Sequence, residues 1–282
     1  ELAQGLSSEG ATSALLTRAE LQLASGDATA AVETLRMLEL EKADQPAATA
    51  LLARAYRALG DRTQLTSLLP RLARAPLPAA EREELAKLAL EDELARADLT
   101  DERLAQVWAS VPSELRTSPA LIAERARALD RLGHGEEAER ELCAALKRDW
   151  HAALVQTFGE VRGGDAVKQL KQAETWLKTY AEDATLLLAA ARLSMANELW
   201  GKARSYLESS LALAATPDAY ALYGRLLTQL GEDDGALSAF RSGLSLASPV
   251  AAEPQVRRPL RSLAPPPAQD AERSDAEVKA PG

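Results

Sequence analysis

Short turns recur along this chain at a spacing that limits it to a row of paired helices. Gly26 and Gly60 lie 34 positions apart, and Asn197 and Gly231 are separated by the same interval. Apolar residues on both sides of these turns follow the spacing of one helix face. A repeat of this length buries its apolar face only by stacking on its neighbours. The chain is therefore predicted to be a series of similar helix pairs.

The pattern is clearest in the last unit, where small and large residues stand at fixed positions around the turn at Gly231. The large positions are Tyr220, Tyr223, Leu227 and Phe240, and the small ones are Gly224, Ala236 and Gly243, with Pro249 beyond. Closely crossing helices need small side chains where their backbones meet and large ones around the contact. This arrangement resembles the tetratricopeptide repeat. The predicted fold class is thus all-α, a tetratricopeptide-like helical-hairpin solenoid coiled as a right-handed superhelix.

The same pattern sets the predicted domain organisation. A repeat domain spans 11–247, with clear units at about 12–45, 46–75, 119–150, 183–215 and 217–248. Between them the pattern loosens at the prolines that border 76–118 and through 151–182, where Asp165 is a predicted N-cap; these helices are expected to continue the stack. Residues 1–10 are predicted to be a flexible N-terminal segment, and the proline-rich segment 248–282 a disordered tail.

Composition excludes several classes of function. A net charge of −9 argues against general affinity for nucleic acid. Cys143 is the only cysteine, so an internal disulfide or a zinc site with several thiolates is excluded. The longest apolar run of the helical region, 186–191, is too short for a membrane span. The chain itself is expected to be soluble.

Four phrases in the sequence go beyond a generic repeat. They are Trp108 with 111–116 (VPSELR) and Pro119, 154–155 (LV) with 158–159 (FG), 169–170 (QL) with 173–177 (AETWL), and 199–208 (LWGKARSYLE). Together they resemble the C-terminal region of the HemY family of proteobacterial proteins associated with haem biosynthesis, over about 11–247. The resemblance implies two N-terminal membrane helices, absent from this sequence, that would attach a cytoplasmic repeat domain to the inner membrane. The unrelated flavin enzyme that shares the HemY name is excluded, since no Gly-x-Gly-x-x-Gly follows a strand.

No catalytic constellation is found, so the chain is predicted not to be an enzyme. His134 and His151 stand in no triad or metal-ligand spacing. No cofactor is predicted, although the family's link to haem makes five residues formal candidates for iron ligation. For Cys143 the favoured interpretation is a small buried packing residue, for Met37 and Met195 a core or groove position, and for His134 an exposed turn.

A partner-binding surface is predicted where the first helices of the pairs turn inward. Counting from the packing positions places these residues on that concave face: Arg54, Arg57, Arg127, Arg131, Arg225 and Gln229. Five arginines would form a basic strip suited to an acidic peptide, the C-terminus of another protein or a porphyrin propionate. The alternative is that they are ordinary solvated helix residues.

The resulting functional hypothesis is a non-enzymatic scaffold that organises late haem-biosynthesis enzymes at the inner membrane, the enzymes and the membrane being implied by the resemblance. Its expected partners are proteins, without nucleic acid, and it would meet the membrane only through the absent N-terminal anchor. Two alternatives stay open. One is a tetrapyrrole-binding or handover protein, and the other is a tetratricopeptide assembly factor unrelated to haem.

Overall fold

The computed structural model describes the backbone of residues 2–41 and 45–247, and the side chains of 10–39 and 45–247. The helices of this part are α1 Leu2–Ala24, α2 Ala28–Glu41, α3 Pro46–Leu59, α4 Arg62–Ser67, α5 Leu69–Leu72, α6 Ala79–Ala95, α7 Asp101–Ser110, α8 Pro119–Arg131, α9 Gly135–Arg148, α10 Ala152–Glu160, α11 Ala166–Leu177, α12 Ala184–Ala196, α13 Trp200–Leu213, α14 Pro217–Gln229 and α15 Asp233–Ala247. A 3-10 turn, Leu115–Thr117, precedes α8.

The described residues contain helices and no strand, which confirms the predicted all-α class. The predicted flexible segment 1–10 belongs, from Leu2 onward, to the backbone of α1. The predicted disordered tail, 248–282, lies outside the described residues.

Within residues 2–41 and 45–247, the helices follow one another as seven successive pairs that stack in sequence order. The first helices of the pairs are α1, α3, α6, α8, α10, α12 and α14, and each contacts the next first helix along the sequence. Second helices also contact the following pair, as α2 contacts α3 and α13 contacts α14. We call the surface that the first helices share the first-helix face. The predicted helical-hairpin solenoid is thereby confirmed.

Left-handed residues end the first helices at the turns. Gly26, Gly60, Gly133 and Gly231 have φ between 68° and 87°, a region that glycine occupies without a Cβ penalty. The sixth pair has Glu198 at φ 57° instead. Glu198, not Asn197, is therefore the residue equivalent to Gly231, and the predicted alignment is off by one position. The sequence pattern missed this because the left-handed residue of this turn is not a glycine.

Close helix crossings occur where glycine was predicted to allow them. A Cβ at Gly224 would lie 2.6 Å from the Phe240 ring, and one at Gly243 would lie 3.0 Å from the Cβ of Tyr220. The backbones of α14 and α15 can approach this closely only because both positions lack a side chain.

The fifth pair is spaced differently, by aromatic rings. Phe158 of α10 meets Trp176 of α11 edge to face, with ring centroids 4.7 Å apart. Trp176 also meets Trp150, which stacks on Tyr180 at 3.9 Å. Rings between two helices replace the small residues of a regular repeat, which explains why the sequence pattern loosens here.

The second pair is irregular because its second helix is broken. The backbone leaves α4 at Ser67 and starts α5 at Leu69, with Pro70 in the first turn of α5. Proline has no N–H to donate to the preceding turn, so α4 cannot continue through it. Leu65, Leu69 and Leu72 are nevertheless buried, as their apolar spacing predicted.

None of the helices among the described residues combines the length and hydrophobicity needed to cross a bilayer.

Candidate functional site

The loop between α10 and α11, which contains Arg162, is held in place by buried hydrogen bonds. Gln169, 1% exposed, donates from Nε2 to the carbonyl oxygens of Phe158 (2.7 Å) and Val161 (3.1 Å). Its Oε1 accepts from the backbone N–H of Gly163 at 3.3 Å. Asp165 caps α11, as predicted, by accepting from the N–H groups of Val167 and Lys168 at 3.0 and 3.1 Å.

The fourth pair supports the same loop from the other side. Asp130 of α8 accepts from the backbone N–H of Arg162 at 2.7 Å. A Cβ at Gly135 would lie 1.8 Å from the Arg162 carbonyl oxygen, and one at Gly163 would lie 2.1 Å from the Glu139 carboxylate. The close approach of the loop to α9 therefore requires glycine at position 135, where the contact is with backbone, whereas at Gly163 the Glu139 side chain could move aside.

The predicted site residues of α3 lie on the first-helix face and are paired across it. Arg54 donates to both carboxylate oxygens of Glu81 on α6, at 2.7 and 2.8 Å. Arg57 lies 3.7 Å from the carboxylate of Glu84, one turn further along α6. The Arg54 hydrogen bond lowers the pKa of Glu81 from its ordinary value.

The predicted residues of α8 are engaged in the same way. Arg127 donates to Glu160 of α10 at 3.0 Å and to Glu124 of its own helix at 2.9 Å. The guanidinium of Arg131 donates to the carbonyl oxygen of Leu94, near the end of α6.

Arg225 and Gln229, the predicted residues of α14, are exposed. Arg225 has no ion pair within the described residues, and its Nε reaches only the Ala221 carbonyl oxygen, at 3.4 Å.

The arginines of the predicted basic strip thus lie among carboxylates of neighbouring helices. Arg54, Arg57 and Arg127 face carboxylates of a neighbouring first helix, so their charge is balanced. Counting along single helices identified the face but not the acidic residues that the next pair places opposite. Whether the six residues contact a partner stays a prediction.

One arginine position recurs when the pairs are aligned on their left-handed residue. Six positions before Gly60, Gly133, Glu198 and Gly231 the sequence has Arg54, Arg127, Arg192 and Arg225, respectively. Sequence reasoning missed Arg192 because it aligned the sixth unit on Asn197. Anchoring that unit one residue later would have found it.

An open groove of about 690 Å³ lies at the C-terminal part of this arginine row. The first helices α10, α12 and α14 and the loop after α10 line it; we call it the α10–α14 groove. Its charged lining residues are Arg162, Arg192, Arg225 and Glu160, and Met195 and Leu222 are part of its apolar lining. This volume is in the range of ordinary ligand and peptide sites.

The formal haem-ligand candidates lie on different elements. Met37 is 61% exposed on α2, so its predicted core or groove position is wrong. His134 lies in the turn before α9, with Nε2 2.8 Å from Asp101 Oδ1. His151 precedes α10 and accepts through Nδ1 from the N–H of Ala153 at 3.2 Å. Met195 lines the α10–α14 groove.

Cys143 is half-buried on α9, and burial raises the pKa of its thiol to about 11. The thiol form is therefore dominant at neutral pH. Within the described residues, no group of three or more His, Cys, Asp and Glu side chains could hold a metal ion.

Comparison with known proteins agrees with this architecture. A tetratricopeptide repeat protein from Parabacteroides merdae superposes with a TM-score of 0.52 at 16% identity, covering 85% of this chain and 94% of that one. The chain has the fold of a tetratricopeptide-repeat protein. A structure described as a functional characterization of Pseudomonas aeruginosa pilF matches at 17% identity with a TM-score of 0.35, covering 87% of this chain and 95% of that one. No family model and no curated protein matches the sequence.

Proposed function

We propose that this tetratricopeptide-repeat protein is a non-enzymatic scaffold that binds other proteins on its first-helix face. The observation that carries the proposal is the α10–α14 groove, where three consecutive first helices leave an open surface with both arginine and apolar side chains. Stacked helix pairs commonly use such extended surfaces to bind partners. In the α3–α8 part of the face, by contrast, Arg54 and Arg127 are hydrogen-bonded to carboxylates.

The partners we propose are enzymes of late haem biosynthesis, and the site of action is the inner membrane. Support comes from the resemblance of four sequence phrases to the HemY family. Two of these phrases have structural roles here: Phe158 and Trp176 space the fifth pair, and Gly159 allows α10 to approach α12. Attachment to the membrane would come from N-terminal helices like those of that family.

Binding to purified enzymes tests this assignment. The 282-residue protein is immobilised and titrated with individual late haem-biosynthesis enzymes, and we expect at least one to bind with a micromolar Kd. In parallel, proteins crosslinked to it in proteobacterial cells are identified by mass spectrometry. Enrichment of other proteins, with no binding by the haem enzymes, would support the general assembly factor instead. If no protein is enriched over a matched resin, the scaffold itself is wrong.

A tetrapyrrole-binding or handover protein is the second candidate. The observation in its favour is that Met195, an iron-ligand type, lines the same groove as Arg192 and Arg225, which could pair with propionates. A haemin titration followed by absorbance separates the candidates. The scaffold predicts no saturable shift of the Soret band, whereas a shift that disappears in Met195→Leu would favour tetrapyrrole binding.

A further inference from the structure

The arginines of the α10–α14 groove donate no hydrogen bond to a carboxylate within the described residues, in contrast to Arg54 and Arg127. Arg192 is largely buried, its side chain 18% exposed, and its buried Nη1 has no hydrogen-bond partner within the described residues. Its Nη1 lies 3.8 Å from a carboxylate oxygen of Glu160 and its Nη2 lies 3.9 Å from one of Asp218, so both are ion pairs, but neither distance allows a hydrogen bond. An unsatisfied buried guanidinium is costly, so a ligand that satisfies it gains affinity.

Glu160, the only acidic residue among the described residues that line the groove, is already engaged elsewhere. Its two oxygens accept from Arg127 at 3.0 Å and from Gln156 at 2.9 Å. It therefore neutralises Arg192 poorly, since the bonded groups hold its carboxylate toward α8 and its own helix.

Two further guanidinium groups at this groove are exposed. Arg162 and Arg225 form no ion pair within the described residues. Three arginines against Glu160 and the nearby Asp218 leave a positive surplus at the groove in a protein whose net charge is −9. The negative net charge of the protein disfavours long polyanions such as nucleic acid, whereas a short segment with a few carboxylates remains suitable.

The apolar lining adds a second requirement. Leu222 is buried and Met195 half-buried beside the arginines. A small inorganic anion would leave this surface uncovered, while an apolar side chain next to a carboxylate would cover it. Methionine also adapts to side chains of different shape.

We propose that the α10–α14 groove binds a short acidic segment of a partner protein, with carboxylates on Arg192 and Arg225 and an interleaved apolar side chain on Met195 and Leu222. This inference rests on the proposed scaffold function and specifies the partner's chemistry. Arg162, on the loop held by Gln169 and Asp130, supplies a third charge at the rim.

Fluorescence anisotropy with a defined peptide tests the proposal. The probe is a fluorescein-labelled hexapeptide of alternating glutamate and leucine, compared with its glutamine–leucine counterpart and titrated with the 282-residue protein. We expect saturable binding of the acidic peptide and at least a tenfold weaker Kd for the glutamine peptide, since each charge-assisted hydrogen bond contributes about 1.5–3 kcal/mol. Comparing a free with an amidated C-terminus shows whether the bound carboxylate is the terminal one or belongs to a glutamate.

Variants assign the binding to the groove. Arg225→Gln, which removes an exposed side chain, and Arg192→Gln are each expected to weaken binding about tenfold. Arg54→Gln is the matched control, because it occupies the same position of its pair but is bonded to Glu81, and we expect it to leave the peptide Kd unchanged. Thermal unfolding verifies that each variant is folded.

Three results would overturn the proposal: no saturable binding up to about 1 mM peptide, equal affinity for the two peptides, or unchanged affinity of folded Arg225→Gln. Failure of the groove is distinguishable from failure of the scaffold. If partner proteins are still captured from cells by Arg192→Gln and Arg225→Gln, the scaffold stands and the groove does not.

Discussion

Backbone conformation at the turns is decided residue by residue. Four of the five left-handed positions in the described part of the protein are glycine, and Glu198 occupies the fifth at φ 57°. An L-residue pays about 1–2 kcal/mol for this conformation. The sixth turn is thus the one among the five where the backbone is strained.

Exchanging the residue types at two turns should have opposite effects on stability. Glu198→Gly relieves the strain but adds backbone entropy to the unfolded state, so we expect a gain of up to about 1 kcal/mol. Gly60→Ala, with open space around its Cβ but φ 68°, should lose about 1 kcal/mol. Urea unfolding measures both, and a stability loss in Glu198→Gly would contradict this account.

At Gly159 the need for glycine comes from a steric contact and not from the φ angle. A Cβ there would lie 2.6 Å from the Cα of Ala189, a backbone atom of α12. We expect Gly159→Ala to destabilise the protein by about 1–3 kcal/mol, because α10 and α12 must separate. Gly201→Ala is the control, since its Cβ meets nothing within 4 Å in α13, and it should be neutral or stabilising by up to about 1 kcal/mol. Equal effects of the two substitutions in urea unfolding would rule out the contact.

At the scale of elements, successive pairs are joined by a few specific side chains. Gln169 closes the end of α10 and fixes the loop that carries Arg162, and Glu81 links α6 to α3.

Replacing Gln169 should loosen that loop. Gln169→Leu leaves two carbonyl oxygens and one N–H without their partner, which we expect to cost about 1–3 kcal/mol. Gln106→Leu, at an exposed position of α7, serves as the control with little expected change. Hydrogen exchange should show faster exchange at 159–165 in Gln169→Leu only. Unchanged exchange there would mean that Asp130 alone holds the loop.

The link through Glu81 should depend on pH. Its hydrogen bond with Arg54 lowers the pKa of Glu81 below the ordinary 4.5, so the stabilisation is present above that value and is lost as pH falls through the lowered pKa. Glu81→Gln should therefore cost at most about 1 kcal/mol near pH 7 and less near pH 3. Urea unfolding of both proteins at the two pH values tests this, and a difference that grows on acidification would refute it.

Across the described part of the molecule, buried apolar side chains are unevenly distributed. A large apolar cluster extends from Ala19 to Leu193, whereas the third cluster, at the last pair, contains only Leu227, Ala236 and Ala239 as buried members. In a stack, stability depends on the contacts that each pair makes with its neighbours.

The last pair should consequently open most easily. We expect amide hydrogens of α15 to exchange faster than those of α8 and α12 in the native protein, because α15 packs on α14 over a small core. Residue-resolved native-state hydrogen exchange measures this. Equal protection of α8, α12 and α15 would show that the stack unfolds as one unit.

Local chemistry in the sequence was sufficient to predict the helix pairs, the turn at Gly60 and the crossing at Gly224, because these depend on residues close along the sequence. The left-handed conformation of Glu198 and the aromatic spacing by Phe158 and Trp176 were not predicted, since they depart from the small-residue pattern. Only the tertiary structure decided which arginines are available to bind a partner's carboxylates. Arg54 and Arg127 are hydrogen-bonded to carboxylates, whereas Arg192 only comes within 3.8 Å of one, because each contact depends on the side chain that the neighbouring pair, some thirty residues away, places opposite it.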